Sequence, residues 1–320
     1  MDILIVGCGV SGLTCGVRLL EAGHRVHVWA EKLPPDTTSN VAAAVWYPYK
    51  AYPEDLVLGW GARAFQVFQE LAGQPESGVV MRDAIELLPA QSPDPWWAPA
   101  VPNFRHATAD ELLGRYADGY AFDAPVIDMS VYLDYLMRRF KDAGGVIERR
   151  RVGGLDEAFA GCSLVVNCAG LGARELLGDY ELVPSRGQVI RVHATRYWRS
   201  VLDHVILDDS DPENVTYIVP RIHDIVLGGT AIEGEESTDP DEATTDAILA
   251  RCAALVPELS SLDRADILSV AVGLRPTRPA IRLEREQATP ERAVIHNYGH
   301  GGAGVTLSWG CADEVVRLVG

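Results

Sequence analysis

The chain has 320 residues, of which 48% are hydrophobic and 23% charged, so it is long enough for one large domain or two medium ones with buried cores. Its formal net charge of -17 repels phosphate backbones and acidic lipid headgroups, which argues against nucleic-acid and membrane-surface partners. No apolar run approaches the roughly 20 residues that cross a bilayer, and no secretory signal pattern precedes the first predicted strand, which predicts a cytoplasmic protein.

The N-terminal segment predicts a βαβ unit. Apolar residues 3–6 form the first strand, residues 13–20 show helical spacing, and residues 26–29 form the second strand. Between the first strand and the helix lies Gly7-Cys8-Gly9-Val10-Ser11-Gly12, a GxGxxG motif in the context that binds a dinucleotide. The helix N-terminus offers N–H groups to a pyrophosphate, and Glu31 follows the second strand at a position suited to ribose hydroxyls. The motif alone leaves NAD and FAD open.

The amino-acid composition changes in the middle of the chain. Aromatic residues, prolines and short amphipathic pieces suggest a second domain inserted into the first, with Trp96 and Trp97 packed in its core or at an interface. Residues 41–45 are small and fit either a helix or a close-packed crossing segment. Helices are predicted over 130–142 and 244–255, and buried strands over 163–167, 189–192, 201–207, 215–219 and 225–227. The last four strands predict an antiparallel sheet.

Six cysteines are scattered without CxxC spacing or accompanying histidine pairs. We therefore expect no metal site and no dense disulfide framework, although a single bridge stays open. Most of the cysteines are interpreted as small buried side chains.

A second glycine-rich loop, residues 296–306, precedes a C-terminal helix. So many glycines suggest a backbone that follows the contour of a flat ligand, with a helix N-terminus facing developing negative charge. This loop, the position of GxGxxG at the start of the chain and the interrupted nucleotide-binding layer favour FAD over NAD.

At this point the sequence resembles the D-amino-acid oxidase family. The most specific matches are Gly273-Leu274-Arg275-Pro276-Thr277-Arg278-Pro279 and the loop His296-Asn297-Tyr298-Gly299-His300-Gly301-Gly302-Ala303-Gly304. Further matches follow the same order along essentially the whole chain, at residues 7–12, 36–43, 186–188, 228–230 and 282–286.

The resemblance implies an α/β fold of the glutathione-reductase-like type. A discontinuous Rossmann-type FAD-binding domain is expected from residues 1–48, 129–188 and 268–320. A second, α+β substrate-binding domain, built on an antiparallel sheet, is expected from residues 49–128 and 189–267.

The resemblance also implies how FAD is held. Glu31 and Lys32 flank the adenosine end, and Thr306 lies near the pyrimidine side of the flavin. Noncovalent binding is expected, because Cys311 falls inside the terminal helix and no family-type cysteine for attachment is seen. The implied cofactor-binding residues are Gly7, Gly9, Val10, Ser11, Gly12, Glu31, Lys32, Thr37, Thr38, Ser39, Ala42, Ala43, Val152, Cys168, Gly170, Gly301, Gly302, Gly304 and Thr306.

The implied reaction is oxidation of a D-amino acid at its alpha carbon. Arg275 grips the substrate carboxylate bidentately, the Tyr217 hydroxyl donates to the same carboxylate, and the Gly302 carbonyl accepts from the amine. The C–H bond then points at flavin N5, so catalysis is mostly positioning. Dioxygen takes the electrons to give hydrogen peroxide, and the imino acid hydrolyses to a 2-oxo acid and ammonia.

The substrate side chain is predicted to be neutral and apolar. Ala231 stands where a basic residue would favour D-aspartate oxidase, while Arg221 keeps that activity open. The activity of a glycine or sarcosine oxidase, and a non-oxidase dinucleotide-binding role, also stay open, as does a homodimer. The segment 207–214 is short and acidic and lacks an aromatic lid residue, from which we hypothesise an open entrance.

Overall fold

The computed structural model describes residues 1–194 and 203–320. Val201 and Leu202, at the start of one predicted strand, lie outside the described residues. The strands are β1 (Asp2–Val6), β2 (Arg25–Ala30), β3 (Val79–Leu88), β4 (Arg105–His106), β5 (Asp118–Ile127), β6 (Val146–Arg149), β7 (Leu164–Asn167), β8 (Val183–His193), β9 (Val205–Asp208), β10 (Thr216–Pro220), β11 (Asp224–Gly228), β12 (Ile232–Glu233), β13 (Ile267–Thr289) and β14 (Arg292–His300). The helices are α1 (Val10–Glu21), α2 (Thr38–Val41), α3 (Glu54–Ala72), α4 (Met129–Asp142), α5 (Leu155–Ala158), α6 (Ala173–Leu177), α7 (Glu242–Leu255) and α8 (Gly304–Val319).

The described strands form one continuous sheet with two halves of different character. In the first half, β14, β7, β1, β2 and β6 are neighbours in that order, and each pair is parallel. In the second half, β4, β5, β3, β9, β10, β11 and β8 follow one another, and every pair except β3–β9 is antiparallel. The apolar, β-branched runs of β1 and β7 suit a parallel layer that is buried on both faces.

The long strand β13 joins the two halves. Its first part, residues 267–277, pairs with β8, and its second part, residues 277–289, pairs with β14. The predicted antiparallel sheet is therefore present, but it is continuous with the nucleotide-binding layer. Hydrophobic periodicity identifies a strand and does not identify its neighbours, so the sequence did not predict this continuity.

The helix α1 is fixed by the helices packed against it. The Thr14 hydroxyl donates to the Val10 carbonyl at 2.9 Å and contacts the Ser308 carbonyl in α8 at 3.2 Å. The indole N–H of the buried Trp309, also in α8, donates to the Tyr132 hydroxyl in α4 at 2.8 Å. These buried contacts hold the N-terminus of α1 in one place, which a ligand bound there requires.

Of the two structures predicted for residues 41–45, the crossing segment is observed, and the helix covers only the first residue. The helix α2 ends at Val41, and the chain then runs on to Val45, which forms an isolated bridge with Val126. Trp97 is buried among Trp46, Phe104 and Phe122, with ring centroids between 4.8 and 6.3 Å from its own, so its predicted core packing is confirmed. Among the described helices, none is both long and apolar enough to span a membrane.

Candidate active site

One cavity of about 850 Å³ opens at the carboxyl ends of the parallel strands. Its walls include Gly7 after β1, Glu31 after β2, Arg150 after β6 and Cys168 after β7. In open α/β sheets ligands bind at this edge, where the strand order changes direction. The volume falls within the range of cofactor and ligand sites.

The GxGxxG motif forms the floor of this cavity. Gly7 has φ of 111°, and a Cβ there would lie 2.3 Å from the Cys168 carbonyl oxygen. Helix α1 begins at Val10, whose backbone N–H donates to the Ser39 hydroxyl at 3.0 Å. The positive end of the α1 dipole therefore faces the cavity beside a threonine- and serine-rich loop, an arrangement that suits a pyrophosphate.

The structure brings the predicted cofactor-binding residues together, with one exception. Gly12 does not line the cavity, because it packs under the loop, where a Cβ would lie 2.0 Å from the Gly7 carbonyl oxygen. Gly12 lets the helix and the turn come into close contact. The predicted residues that line the cavity are Gly7, Gly9, Val10, Ser11, Glu31, Lys32, Thr37, Thr38, Ser39, Ala42, Ala43, Val152, Cys168, Gly170, Gly301, Gly302, Gly304 and Thr306.

Arg275 lies at the other end of the same cavity. It projects from β13, and its Nη1 donates to the Thr230 carbonyl at 2.8 Å. A Cβ at Gly187 would lie 2.4 Å from this Nη1, so Gly187 provides the space for the guanidinium. Among the described residues, no carboxylate lies within 4 Å of Arg275. A guanidinium with open donors in a cavity is a site for a planar anion such as a carboxylate.

Tyr217 lies on β10 and faces the same cavity. Its ring packs directly on Gly228, where a Cβ would lie 2.0 Å from the ring. Burial raises the pKa of Tyr217, and the nearby Arg275 charge opposes that rise. The phenol therefore stays protonated at neutral pH and can donate to an anion held by Arg275.

Tyr49 was not predicted from the sequence. Its hydroxyl is buried and has no hydrogen-bond partner among the described residues. A Cβ at Gly302 would lie 2.8 Å from the Tyr49 ring and 3.6 Å from Cδ of Arg275, so the three residues meet at one wall. A buried hydroxyl without a partner is costly unless a ligand satisfies it. The only sequence signal was the Tyr47-Pro48-Tyr49 run after the small residues 42–44.

The glycine-rich loop before α8 is held from two sides. The Thr306 hydroxyl donates to the Tyr47 carbonyl at 3.0 Å and accepts from the Tyr47 backbone N–H at 3.1 Å. His300 Nε2 lies 3.0 Å from the Asn297 side-chain oxygen, and burial lowers the pKa of His300 to about 4. His300 is therefore neutral near pH 7, and it hydrogen-bonds within the loop.

A carboxyl cluster adjoins the cavity beside Tyr47. The Tyr47 hydroxyl donates to Glu86 Oε1 at 2.7 Å and lies 3.4 Å from Asp209 Oδ2. Tyr47, Asp209 and the neighbouring Asp208 line the cavity, whereas the buried Glu86 lies behind Tyr47. Burial and the charge of Asp209 raise the pKa of Glu86 to about 7, and burial also raises the pKa of Asp209. The hypothesis of an open entrance at 207–214 stays a prediction.

Glu86 yields a prediction about stability. Its folded pKa of about 7 lies above the ordinary value of 4.5, so the ionised form destabilises the fold increasingly from pH 4.5 to about 7 and fully above that. Glu86→Gln is expected to raise the free energy of unfolding by about 3 kcal/mol at about pH 8.5 and to give no gain at about pH 4.5. Urea unfolding of the holoenzyme at both pH values measures this, and an equal gain at both would contradict the shift.

The six cysteines are free. Cys168 lines the cavity, while Cys311 is buried inside α8 and lies away from the cavity wall. Burial raises the pKa of Cys311. Cys311 therefore behaves as a packing residue, as the sequence predicted for most of the cysteines.

A family model described as FAD dependent oxidoreductase matches residues 2–318. This chain belongs to that family. D-amino-acid oxidases of Rubrobacter xylanophilus and Dictyostelium discoideum are 50% and 43% identical to it, covering 99% and 100% of this chain and 95% and 91% of those relatives. A human D-aspartate oxidase is 36% identical over 99% of this chain and 94% of that relative.

Solved structures give the same fold. Glycine oxidase from Geobacillus kaustophilus matches with a TM-score of 0.81 over 99% of this chain and 94% of that one, at 21% identity. At that sequence identity the match shows a shared fold and supports no statement about activity. The predicted resemblance, the α/β fold and FAD as the cofactor are thus confirmed for this oxidoreductase.

Proposed function

We propose that this protein oxidises D-amino acids with neutral side chains to 2-oxo acids, ammonia and hydrogen peroxide, with dioxygen as the electron acceptor. The observation that carries the proposal is the Arg275 guanidinium, which has no carboxylate partner among the described residues and shares one cavity with the dinucleotide motif. The names of the D-amino-acid oxidase relatives, at up to 50% identity, support the same activity.

The residues present fit FAD. The positive φ of Gly7, the N-terminus of α1 and the threonine- and serine-rich loop at 37–39 suit a pyrophosphate, and Glu31 suits an adenosine ribose. The loop at 301–306 suits the flavin ring. When bound, FAD supplies the hydride acceptor and passes the electrons to dioxygen. We propose noncovalent binding.

Three groups of the chain are proposed to hold the substrate. Arg275 binds the alpha-carboxylate through two parallel N–H donors, and the Tyr217 hydroxyl donates to the same carboxylate. The Gly302 carbonyl, on the wall shared with Tyr49, accepts from the amine. Fixing the carboxylate and the amine leaves only one alpha-carbon configuration that presents its hydrogen to the reacting face. No side-chain base is required once the amine is neutral.

Among the described residues, neither of the two positions considered for an acidic substrate offers a free positive charge to its second carboxylate. Arg221, which the sequence left as a partner for such a carboxylate, is 2% exposed and binds Asp224 through two hydrogen bonds of 2.6 and 2.7 Å. It does not line the cavity. Ala231 is buried and offers no charge. These contacts favour a neutral substrate over D-aspartate.

We also propose the discontinuous division into domains that the family resemblance implies. Residues 1–48, 129–188 and 268–320 would form the FAD-binding domain, and residues 49–128 and 189–267 the substrate-binding domain. A cytoplasmic location and a homodimer remain predictions from the sequence, the latter measurable by light scattering.

The proposal is tested by adding D-alanine or L-alanine to the purified yellow protein without oxygen. We expect D-alanine to bleach the flavin absorbance and L-alanine to leave it unchanged, with one hydrogen peroxide formed per D-alanine once air is admitted. Faster bleaching by sarcosine than by D-alanine would favour an amine oxidase. A colourless protein would contradict the proposal altogether.

Tyr217→Phe isolates one hydrogen bond. The substitution keeps the ring that packs on Gly228 and removes only the donor to the carboxylate. Because a hydrogen bond to a charged group contributes about 1.5–3 kcal/mol, kcat/KM for D-alanine is expected to fall about 10- to 100-fold, mostly through KM. Steady-state kinetics measure this, and unchanged kcat/KM would remove Tyr217 from the substrate site.

A further inference from the structure

The carboxyl cluster of Glu86, Tyr47 and Asp209 has no role in binding the alpha-carboxylate or the amine. It joins two strands and a loop, since Glu86 lies on β3, Asp209 follows β9 and Tyr47 follows α2. Glu86 is 5% exposed, and its Oε2 has no hydrogen-bond partner among the described residues. A buried carboxylate oxygen with open acceptor capacity is a costly feature in a protein fold.

The cluster lies along the same wall as the proposed substrate anchors. The Arg275 side chain and Gly302 meet Tyr49, and the Tyr49 ring stacks on Tyr47 with centroids 6.4 Å apart. Tyr47 in turn contacts both carboxyl groups. A continuous line of contacts therefore leads from the guanidinium to the cluster, and both ends line one cavity.

The segments that carry the cluster also place apolar side chains on the cavity wall. Val45, Leu207 and Val219 line it together with Tyr47 and Asp209. Apolar side chains beside the carboxyl groups of Asp208 and Asp209 suit an alkyl chain that ends in a positive charge. The Tyr47 proton is engaged by Glu86, so the Tyr47 oxygen faces any further ligand as an acceptor.

Lys50, the cation whose charge influences the pKa of Asp209, does not line the cavity. Lys50 lowers the pKa of Asp209 only as a minor influence, and its exposed ammonium group lies 3.4 Å from the Pro212 carbonyl oxygen. Asp208 adds negative charge beside Asp209 and accepts a hydrogen bond from the Tyr116 hydroxyl. The wall therefore remains negative in spite of Lys50.

We propose that Asp209, backed by Glu86 through Tyr47, is the specificity-determining element for side-chain charge: it lets the enzyme oxidise D-amino acids with a cationic side chain alongside neutral ones and rejects a second carboxylate. This inference rests on the proposed oxidation of D-amino acids. An ammonium group at the end of the substrate side chain gains Coulomb attraction at this wall, whereas a carboxylate is repelled at the same distance. A neutral side chain of equal length meets only the apolar part of the wall.

The test compares charged substrates with neutral ones of the same shape. Values of kcat/KM are measured for D-lysine against D-norleucine and for D-glutamate against D-glutamine, above the pH at which Glu86 ionises. Asp209→Asn is expected to lower the D-lysine to D-norleucine ratio about tenfold and to raise the D-glutamate to D-glutamine ratio by a similar factor, equivalent to about 1.4 kcal/mol each. Glu86→Gln is expected to move both ratios in the same directions by less.

Glu213→Gln is the matched control. Glu213 is exposed in the same loop and lies off the cavity wall, so its loss removes an equal charge without changing the wall. Both ratios are expected to stay within twofold in this variant, as is the rate with D-norleucine. Equal shifts in Glu213→Gln and Asp209→Asn would reduce the effect to net charge and overturn the proposal.

The outcomes separate this inference from the proposed function. A wild-type enzyme that oxidises D-norleucine, with ratios that do not respond to Asp209→Asn, overturns the specificity element and leaves the oxidase intact. A protein that oxidises no D-amino acid overturns both. If Asp209→Asn does not fold, raising the salt concentration on the wild type replaces it: the D-lysine ratio must fall and the D-glutamate ratio must rise as the charges are screened, and constant ratios overturn the proposal.

Discussion

Arg275→Met is expected to lower kcat/KM for D-alanine about a thousandfold, equivalent to about 4 kcal/mol, mainly through a higher KM. The substrate carboxylate would then enter the cavity without its bidentate partner, next to the Tyr217 hydroxyl alone. The side chain donates to the Thr230 carbonyl and has no carboxylate partner among the described residues, so its loss should cost little stability. Steady-state kinetics and the flavin absorbance of the purified variant measure the two effects.

Arg285→Ala controls for the loss of a positive charge. Arg285 lies further along β13, is exposed, and donates to carbonyls at the end of α8. Its kinetics are expected to stay within twofold of the wild type. Should Arg275→Met keep more than a tenth of the wild-type kcat/KM, the guanidinium would not be the carboxylate anchor.

Gly9→Ala is expected to weaken FAD binding about a hundredfold, equivalent to about 2.8 kcal/mol, while leaving a folded protein. A Cβ at Gly9 would lie 3.0 Å from the Ser39 hydroxyl, beside the start of α1 and within the cavity wall. It would hold a phosphate away from the backbone N–H groups, and each lost hydrogen bond to a charged group costs about 1.5–3 kcal/mol. Titration of the apoprotein with FAD measures the dissociation constant.

Gly59→Ala provides the comparison. Gly59 lies inside α3, where a Cβ would meet nothing within 4 Å, and alanine in a helix interior is favoured over glycine by about 0.5–1 kcal/mol. This variant is expected to bind FAD normally and to be slightly more stable. Full flavin occupancy in Gly9→Ala would mean that the pyrophosphate does not approach this turn.

The sequence predicted most of the site because its signals are local. GxGxxG between a strand and a helix is a run whose spacing indicates the chemistry, whereas the role of Arg275 was implied by the family resemblance of the motif around it. The strands and helices over 130–142, 215–219, 225–227 and 244–255 were also predicted close to their observed bounds, since hydrophobic periodicity is strong there. Gly12, which the motif placed among the cofactor-binding residues, does not line the cavity, because a motif does not distinguish a glycine that contacts ligand from one that packs a helix.

The sequence by itself indicated the class of protein and its dinucleotide, and the family resemblance implied the Arg275 guanidinium as the proposed carboxylate anchor. Only the tertiary structure decided which residues surround that guanidinium. Tyr49 reaches the Arg275 side chain at Gly302. Glu86 and Asp209 lie far apart in the chain and meet at Tyr47 because β3 pairs with both β5 and β9, which sets Glu86 opposite Leu207. Strand neighbours and register follow from long-range packing, and the hydrophobic periodicity of a single segment contains no information about them. The charge of the cavity wall depends on that register.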